Sequence, residues 1–309
     1  MKKTRTPFYF KQAAVILIFG IVTFHSNAQQ GPQFTQFMYN NLVINPAYAG
    51  AEEAFSLTMV SRNQWSGIEN APSTQSFSAH TLVKKKHVGL GLTIIRDQLG
   101  VHKNTNVLTN YAYHIKLKEE SFLSFGLQAG IANLKSDYAS LQGPTIDPKL
   151  VNSINTTTLG FGAGIYYRSP RLQIGLSAPE LLSPSAHMSD TISITFKKNT
   201  VLGYSRYQFM LSQTLDMEPA VLVKYFSNLP ISFDVNLNFI YRKVLTAGVS
   251  YRKNESVDFI LKFQLTPQFQ FGYAYDYPLN SVSSLGSASH ELLIHYVFRT
   301  VQKNVASSR

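Results

Sequence analysis

The chain contains no cysteine. That excludes a disulfide framework, a thiolate metal site and a lipid-modified N-terminal cysteine. Beyond the first 30 residues there is no apolar run long enough to cross a bilayer as a helix, which makes a helical inner-membrane protein untenable. Charge is sparse, at 15% of residues, and tryptophan occurs once. What is abundant is tyrosine and phenylalanine, 17 and 21 residues, in a chain whose mean hydropathy is close to neutral. Strands that face lipid with every second residue have this composition.

The first residues form an export leader. Lys2, Lys3, Arg5 and Lys11 precede an apolar run from Ala13 to Phe24, and Ser26-Asn27-Ala28 supplies the small-residue ending that signal peptidase requires. Residues 1–28 are therefore expected to be a signal peptide. The formal net charge of +11 overstates the exported part, because four basic residues lie in this leader. The remaining bases gather at strand ends and turns, as in Lys84-Lys85-Lys86 and Arg242-Lys243. Such flanking charges suit a membrane surface better than a nucleic-acid interface.

Period two dominates the chain beyond the leader. Ile231-Ser232-Phe233-Asp234-Val235-Asn236-Leu237-Asn238-Phe239 alternates without a break, which places all its apolar side chains on one face of a strand. Similar stretches begin near 54, 74, 87, 105, 121, 158, 171, 197, 217, 231, 244, 256, 268 and 289. The expected fold is all-β, a transmembrane antiparallel β-barrel of about 14 strands over residues 54–299, with a polar tail at 300–309. Connections alternate between tight turns and longer loops, the longest near Leu134 to Thr157 and Pro179 to Phe196. A soluble sandwich also produces alternating strands. Against it stand the small or polar second faces (Gly126, Gln128, Gly130; Gly160, Gly162, Gly164; Asp234, Asn236, Asn238) and the aromatics at strand ends.

Signals for chemistry are weak. The glycines Gly89, Gly91 and Gly160, Gly162, Gly164 recur at period two inside strands rather than at a strand-to-helix turn, so they are not phosphate cradles. His290 and His295 fall on opposite faces of one strand and cannot share an ion. Gly175-Leu176-Ser177-Ala178-Pro179 lacks the closing glycine of a nucleophile elbow. No catalytic residue, metal site or cofactor is expected. Asp234 and Asp276 should face the lumen, either as substrate-contact groups or as partners of lumenal Lys and Arg, the latter being the commoner use of a charge inside a barrel.

The uncharged stretch Pro32 to Gly50 is the most specific text in the chain. With Asn45-Pro46-Ala47-Tyr48-Ala49-Gly50 it resembles the mature N-terminus of the PorP/SprF family of type IX secretion system outer-membrane proteins. Similar text recurs further along the chain, in Trp65-Ser66-Gly67, Asp97-Gln98-Leu99-Gly100, Glu218-Pro219, Lys224-Tyr225, Tyr251-Arg252, Gly272-Tyr273-Ala274-Tyr275-Asp276-Tyr277 and Ser289-His290-Glu291. The resemblance implies an outer-membrane accessory protein that supports secretion and surface attachment of gliding-type adhesins by binding their C-terminal domains. It also implies contacts with secretion and gliding machinery in the periplasm. Residues 29–53 are expected to be a periplasmic segment that docks on machinery or plugs the lumen, with Phe34, Phe37, Tyr39, Asn45, Pro46, Tyr48 and Gly50 as its contact residues. A passive diffusion channel is the alternative.

Overall fold

The computed structural model describes residues 32–83, 87–118, 120–138, 153–181, 185–189, 192–195, 200–227, 229–280, 283–284 and 287–298. The leader, the Lys84-Lys85-Lys86 run, the tail at 300–309 and parts of the two longest loops lie outside them.

The described residues form seventeen strands in chain order: β1 (Phe55–Asn63), β2 (Ser73–Val83), β3 (Val88–Leu99), β4 (His102–Lys116), β5 (Phe122–Ser136), β6 (Ile154–Arg168), β7 (Leu172–Glu180), β8 (Ser185–Ser189), β9 (Ile192–Thr195), β10 (Thr200–Tyr207), β11 (Phe209–Met210), β12 (Leu215–Phe226), β13 (Ser232–Tyr241), β14 (Leu245–Arg252), β15 (Ser256–Gln264), β16 (Phe269–Pro278) and β17 (Ser289–Phe298). β8 and β9 form a hairpin of their own. β11 carries the line of β10 past Gln208, so the wall is a closed antiparallel barrel of 14 strands. The first and last strands pair over their whole length, from Phe55 with Phe298 to Asn63 with His290. Closure leaves no open edge along that seam, and in hydrocarbon an open edge would strand backbone polar groups.

The barrel is inverted relative to a water-soluble protein. In β13, Asp234, Asn236 and Asn238 are buried inside while Val235, Leu237 and Phe239 are exposed. Leu127 and Leu159 each leave 64% of their surface uncovered, and Phe259 52%. An apolar exterior over a polar interior is the arrangement that lipid stabilises. Aromatics mark the rim where β1 begins and β17 ends: Phe55 packs on Phe298 with ring centroids 5.2 Å apart, and Tyr207 on Phe209 at 4.4 Å. We call this the turn rim, since short connections close it, and its opposite the loop rim. In outer-membrane barrels such turns face the periplasm.

The wall is not of even height. β4, β5 and β6 each run 15 residues, whereas β7 runs 9 and β14 runs 8. Near the turn rim these strands align, as the pairs Lys116 with Phe122, Phe122 with Arg168 and Arg168 with Gln173 show. The surplus therefore projects at the loop rim. The sequence reading began β4 near 105 and β6 near 158. Both start earlier because their first residues, His102-Lys103-Asn104 and Ile154-Asn155-Thr156-Thr157, lack an apolar outward face.

Candidate functional site

The lumen is filled by the chain itself. Residues 32–53 enter at the loop side, fold into short helical turns at Phe37–Tyr39, Asn41–Ile44 and Pro46–Tyr48, and reach the turn rim where β1 begins. Phe34, Phe37, Asn45, Pro46 and Gly50 are buried against the wall, and Tyr39 and Tyr48 are partly so. These residues were expected to touch machinery or plug the bore, and they lie inside it.

At the loop end the segment is gripped by charge. The Glu291 carboxylate accepts the backbone N–H groups of Thr35 and Gln36, each at 2.8 Å. The Thr35 hydroxyl donates to Asp276 at 2.8 Å and accepts from Arg62 at 2.7 Å and Arg252 at 3.2 Å, which uses its full hydrogen-bonding capacity. Arg62 pairs with Asp276 and, at 3.4 Å, with Glu291. Arg252 reaches Asp234 at 3.5 Å and Asp276 at 3.7 Å, and Lys224 meets Asp234 at 2.9 Å. All these side chains are buried. Asp258 faces Asp276 across the β15–β16 pair, and neither of its carboxylate oxygens has a hydrogen-bond partner among the described residues. Asp234 and Asp276 are thus members of one ion cluster at the loop-side ends of their strands.

Further down, fit replaces charge. Asn40 donates to Ser76 at 3.2 Å and accepts from Ser78 at 2.7 Å. Asn45 donates to the carbonyl of Ile165 at 3.0 Å, while its own side-chain oxygen caps the following turn through Ala47 N–H at 2.9 Å. Pro46 suits the first position of that turn, because its missing N–H would have no partner there. Wall glycines make room. A Cβ on Gly126 would stand 2.1 Å from the Ala47 nitrogen, and one on Gly164 2.1 Å from Asn45 Oδ1. The period-two glycines of the sequence thus give the wall the close approach that the segment needs. Tyr39 receives the Lys262 ammonium 3.7 Å from its ring centroid.

The foot of the segment is held by histidines. The Ala49 carbonyl accepts from His114 Nε2 at 2.8 Å, and Gly50 N–H donates to His80 Nδ1 at 3.1 Å. Gly50 has φ +78°, a left-handed backbone that L side chains adopt with strain. Glu52 lies 3.3 Å from His295 Nε2, 3.9 Å from His80 Nε2, and accepts from Ser56 and Tyr48. Burial alone would raise its carboxyl, but the hydrogen bond and charge of His295, the charge of His80 and the Ser56 hydroxyl bring it down to about 2.

Between segment and wall a cavity of about 90 Å³ remains toward the loop side, lined by Phe34, Ile44, Leu108, Leu202 and Leu222, with room for a few waters. Among the described residues no cluster of His, Asp and Glu has the arrangement of a metal site. Sequence reasoning singled out Asp234 and Asp276 but missed Thr35, Arg62, Lys224, Arg252, Asp258 and Glu291. The available signal was that Lys224, Arg252, Asp276 and Glu291 each sit in one of the separated strings that resemble the family. Folding brings those four strings to one place.

A solved structure of similar fold is the CymD monoaromatic hydrocarbon channel, with TM-score 0.51, 12% identity, and 86% of this chain and 94% of that chain covered. The KdgM porin aligns with TM-score 0.40 and 9% identity over 79% of this chain and 99% of that chain. At such identities the likeness to CymD speaks for the fold alone. No curated protein sequence matches the chain. The model of the type IX secretion system membrane protein PorP/SprF matches residues 26–296. That match covers nearly the whole chain, including the lumenal segment, the ion cluster and the wall that holds them, and the chain belongs to the PorP/SprF family of type IX secretion system membrane proteins.

Proposed function

We propose that this protein is an outer-membrane accessory and anchoring barrel, exported by residues 1–28, that supports secretion and surface attachment of gliding-type adhesins by binding their C-terminal domains. It works with type IX secretion and gliding components on the periplasmic side. The observation that carries this reading is the filled lumen. A bore occupied from Phe34 to Glu52 and latched by a buried ion cluster is poorly suited to passive diffusion, which leaves the rims and loops for recognition of other proteins. The family to which the chain belongs serves secretion and is not a family of enzymes.

The segment acts as a plug rather than as a docking strand. Phe34, Phe37, Asn45 and Pro46 are covered by the wall and could meet machinery only after leaving it. The test pairs two measurements. Purified protein in planar bilayers should show little steady conductance, and deletion of Gln33 to Tyr48 should raise it. In the producing bacterium, deletion of the whole gene should abolish surface display of an adhesin. Large steady conductance from the intact protein together with unchanged display would instead establish the diffusion channel.

A further inference from the structure

The uneven wall has a consequence at its step. β6 pairs with β5 from Arg168 to Ile154, but with β7 only from Arg168 to Ala163. β7 ends just past Pro179, which has no N–H to give the ladder, and one further bond lies beyond it, from Leu181 N–H to the Phe161 carbonyl. Above that point, Ile154 to Gly160 has β5 on one side and no ladder partner among the described residues on the other. The β8–β9 hairpin comes close to β6 but pairs only within itself.

Alternation fixes which groups are left over. Because Phe161 turns its carbonyl toward β7, the backbone N–H and C=O groups of Leu159, Thr157 and Asn155 point the same way, into the gap. The side chains of these three residues are exposed on the barrel exterior. Along this part of the wall the exterior changes character. Tyr111, Leu127, Phe125 and Phe161 give way to Lys103, Lys135, Thr105, Asn133, Asn155 and Thr157, with Thr105 opposite Asn133 and Asn133 opposite Thr157. A polar outward face marks strand that has left the hydrocarbon. The step therefore stands in water, beyond the loop-side membrane surface.

Natural edges of this kind are guarded by Lys, Pro or a bulge. Ile154-Asn155-Thr156-Thr157-Thr158-Leu159-Gly160 has none of the three, and its threonines favour extended backbone. The stretch is roughly 20 Å long at about 3.3 Å per residue, the length of one ordinary strand. We infer that the outward edge of β6 from Asn155 to Leu159 is a strand-addition site, which takes an extended segment of an exported protein as an extra strand beside β6. Recognition runs through main-chain hydrogen bonds, and an uncharged edge fits a segment with few charges at the pairing positions. This rests on the proposed function, in which the protein receives exported proteins at the cell surface, and supplies the contact.

The edge can be blocked without touching the wall. Thr157→Pro removes an N–H that points into the gap and leaves the main-chain bonds to β5 intact, whereas Thr157→Val keeps the N–H and the branched shape and loses, as the proline does, only the hydroxyl that accepts from Asn133 at 2.8 Å. The first measurement is amide hydrogen exchange on the purified full chain in nanodiscs. Asn155, Thr157 and Leu159 should exchange freely while Thr156 and Thr158 are protected; equal protection would mean that the chain covers its own edge, and the inference falls. The second places a benzoylphenylalanine photocrosslinker at Asn155 in the producing bacterium. The adduct should join an exported protein within a period-two stretch, and Thr157→Pro should lower its yield and surface display about tenfold, with Thr157→Val near wild type. An adduct only to lipid or to residues 182–199, or a yield unmoved by the proline, overturns the site. Display lost in the gene deletion but intact in Thr157→Pro sinks this edge alone. Display intact in the gene deletion sinks the functional reading itself.

Discussion

The two ends of the lumenal segment are held by different physics. At the loop end Thr35 and Gln36 are gripped by Glu291, Arg62, Arg252 and Asp276, a buried network of full charges. At the turn end Ala49, Gly50 and Glu52 meet histidines, and the backbone lies so close to the wall that a Cβ on Gly89 would stand 1.8 Å from the Ala49 carbonyl. Buried charges are costly to leave unpaired, so the first grip fails abruptly when one member is lost. Backbone hydrogen bonds and close packing, with Glu52 the one carboxylate among them, fail by degrees. The segment is thus latched at one end and fitted at the other.

The sharpest way to break this contrast is Arg252→Met. It leaves Asp234 and Asp276 short of a cation in a buried site and should cost about 3–5 kcal/mol. Because the chain has no native cysteine, a single Gln33→Cys reporter can read the result by maleimide labelling, which should become fast in the variant. A Glu53→Cys reporter at the foot should change much less. Equal acceleration at both reporters would show one cooperative grip in place of two.

Gly126→Val attacks the fitted part, where the added atoms would run into Pro46 and Ala47. Overpacking of this kind costs about 1–3 kcal/mol. The expected result is higher single-channel conductance as the middle of the segment is pushed out, with Gln33 still shielded at the latch. A smaller effect comes from Glu52→Gln, which keeps the shape but removes the charge facing His80 and His295. Roughly 1–2 kcal/mol should be lost, seen as modestly faster labelling at Glu53→Cys alone.

Acidification gives the mildest test. The carboxyl of Glu52 is held at about 2, below its ordinary 4.5, so its contribution is complete above pH 4.5 and declines as pH falls from there toward 2. Amide hydrogen exchange at the foot, corrected for its intrinsic pH dependence, should rise between pH 4.5 and 2, and Glu52→Gln should flatten that rise.

The same contrast explains what the sequence revealed. The wall was legible because lipid forces every second residue to be apolar, and Val235, Leu237 and Phe239 announce their strand without help from the rest of the chain. The signal stops where the lipid stops, which is why the polar beginnings of β4 and β6 read as loop. Lumenal groups answer to no such period. Glu291 and Arg62 are adjacent across the β1–β17 seam, at opposite ends of the chain, and their partnership with Thr35 exists only once the barrel closes. Asn45-Pro46-Ala47 signalled a turn but not that Gly126 and Gly164 would shape its socket.

The direction of the segment also has a consequence for biogenesis. Pro32 lies toward the loop rim and Phe55 starts β1 at the turn rim, so the chain enters its own bore from the far side. A finished cylinder would have to be threaded from one rim to the other to take in this segment. Winding the strands around residues 32–53 as around a spindle avoids that threading, with Arg62 of β1 and Glu291 of β17 meeting across the seam as the clasp.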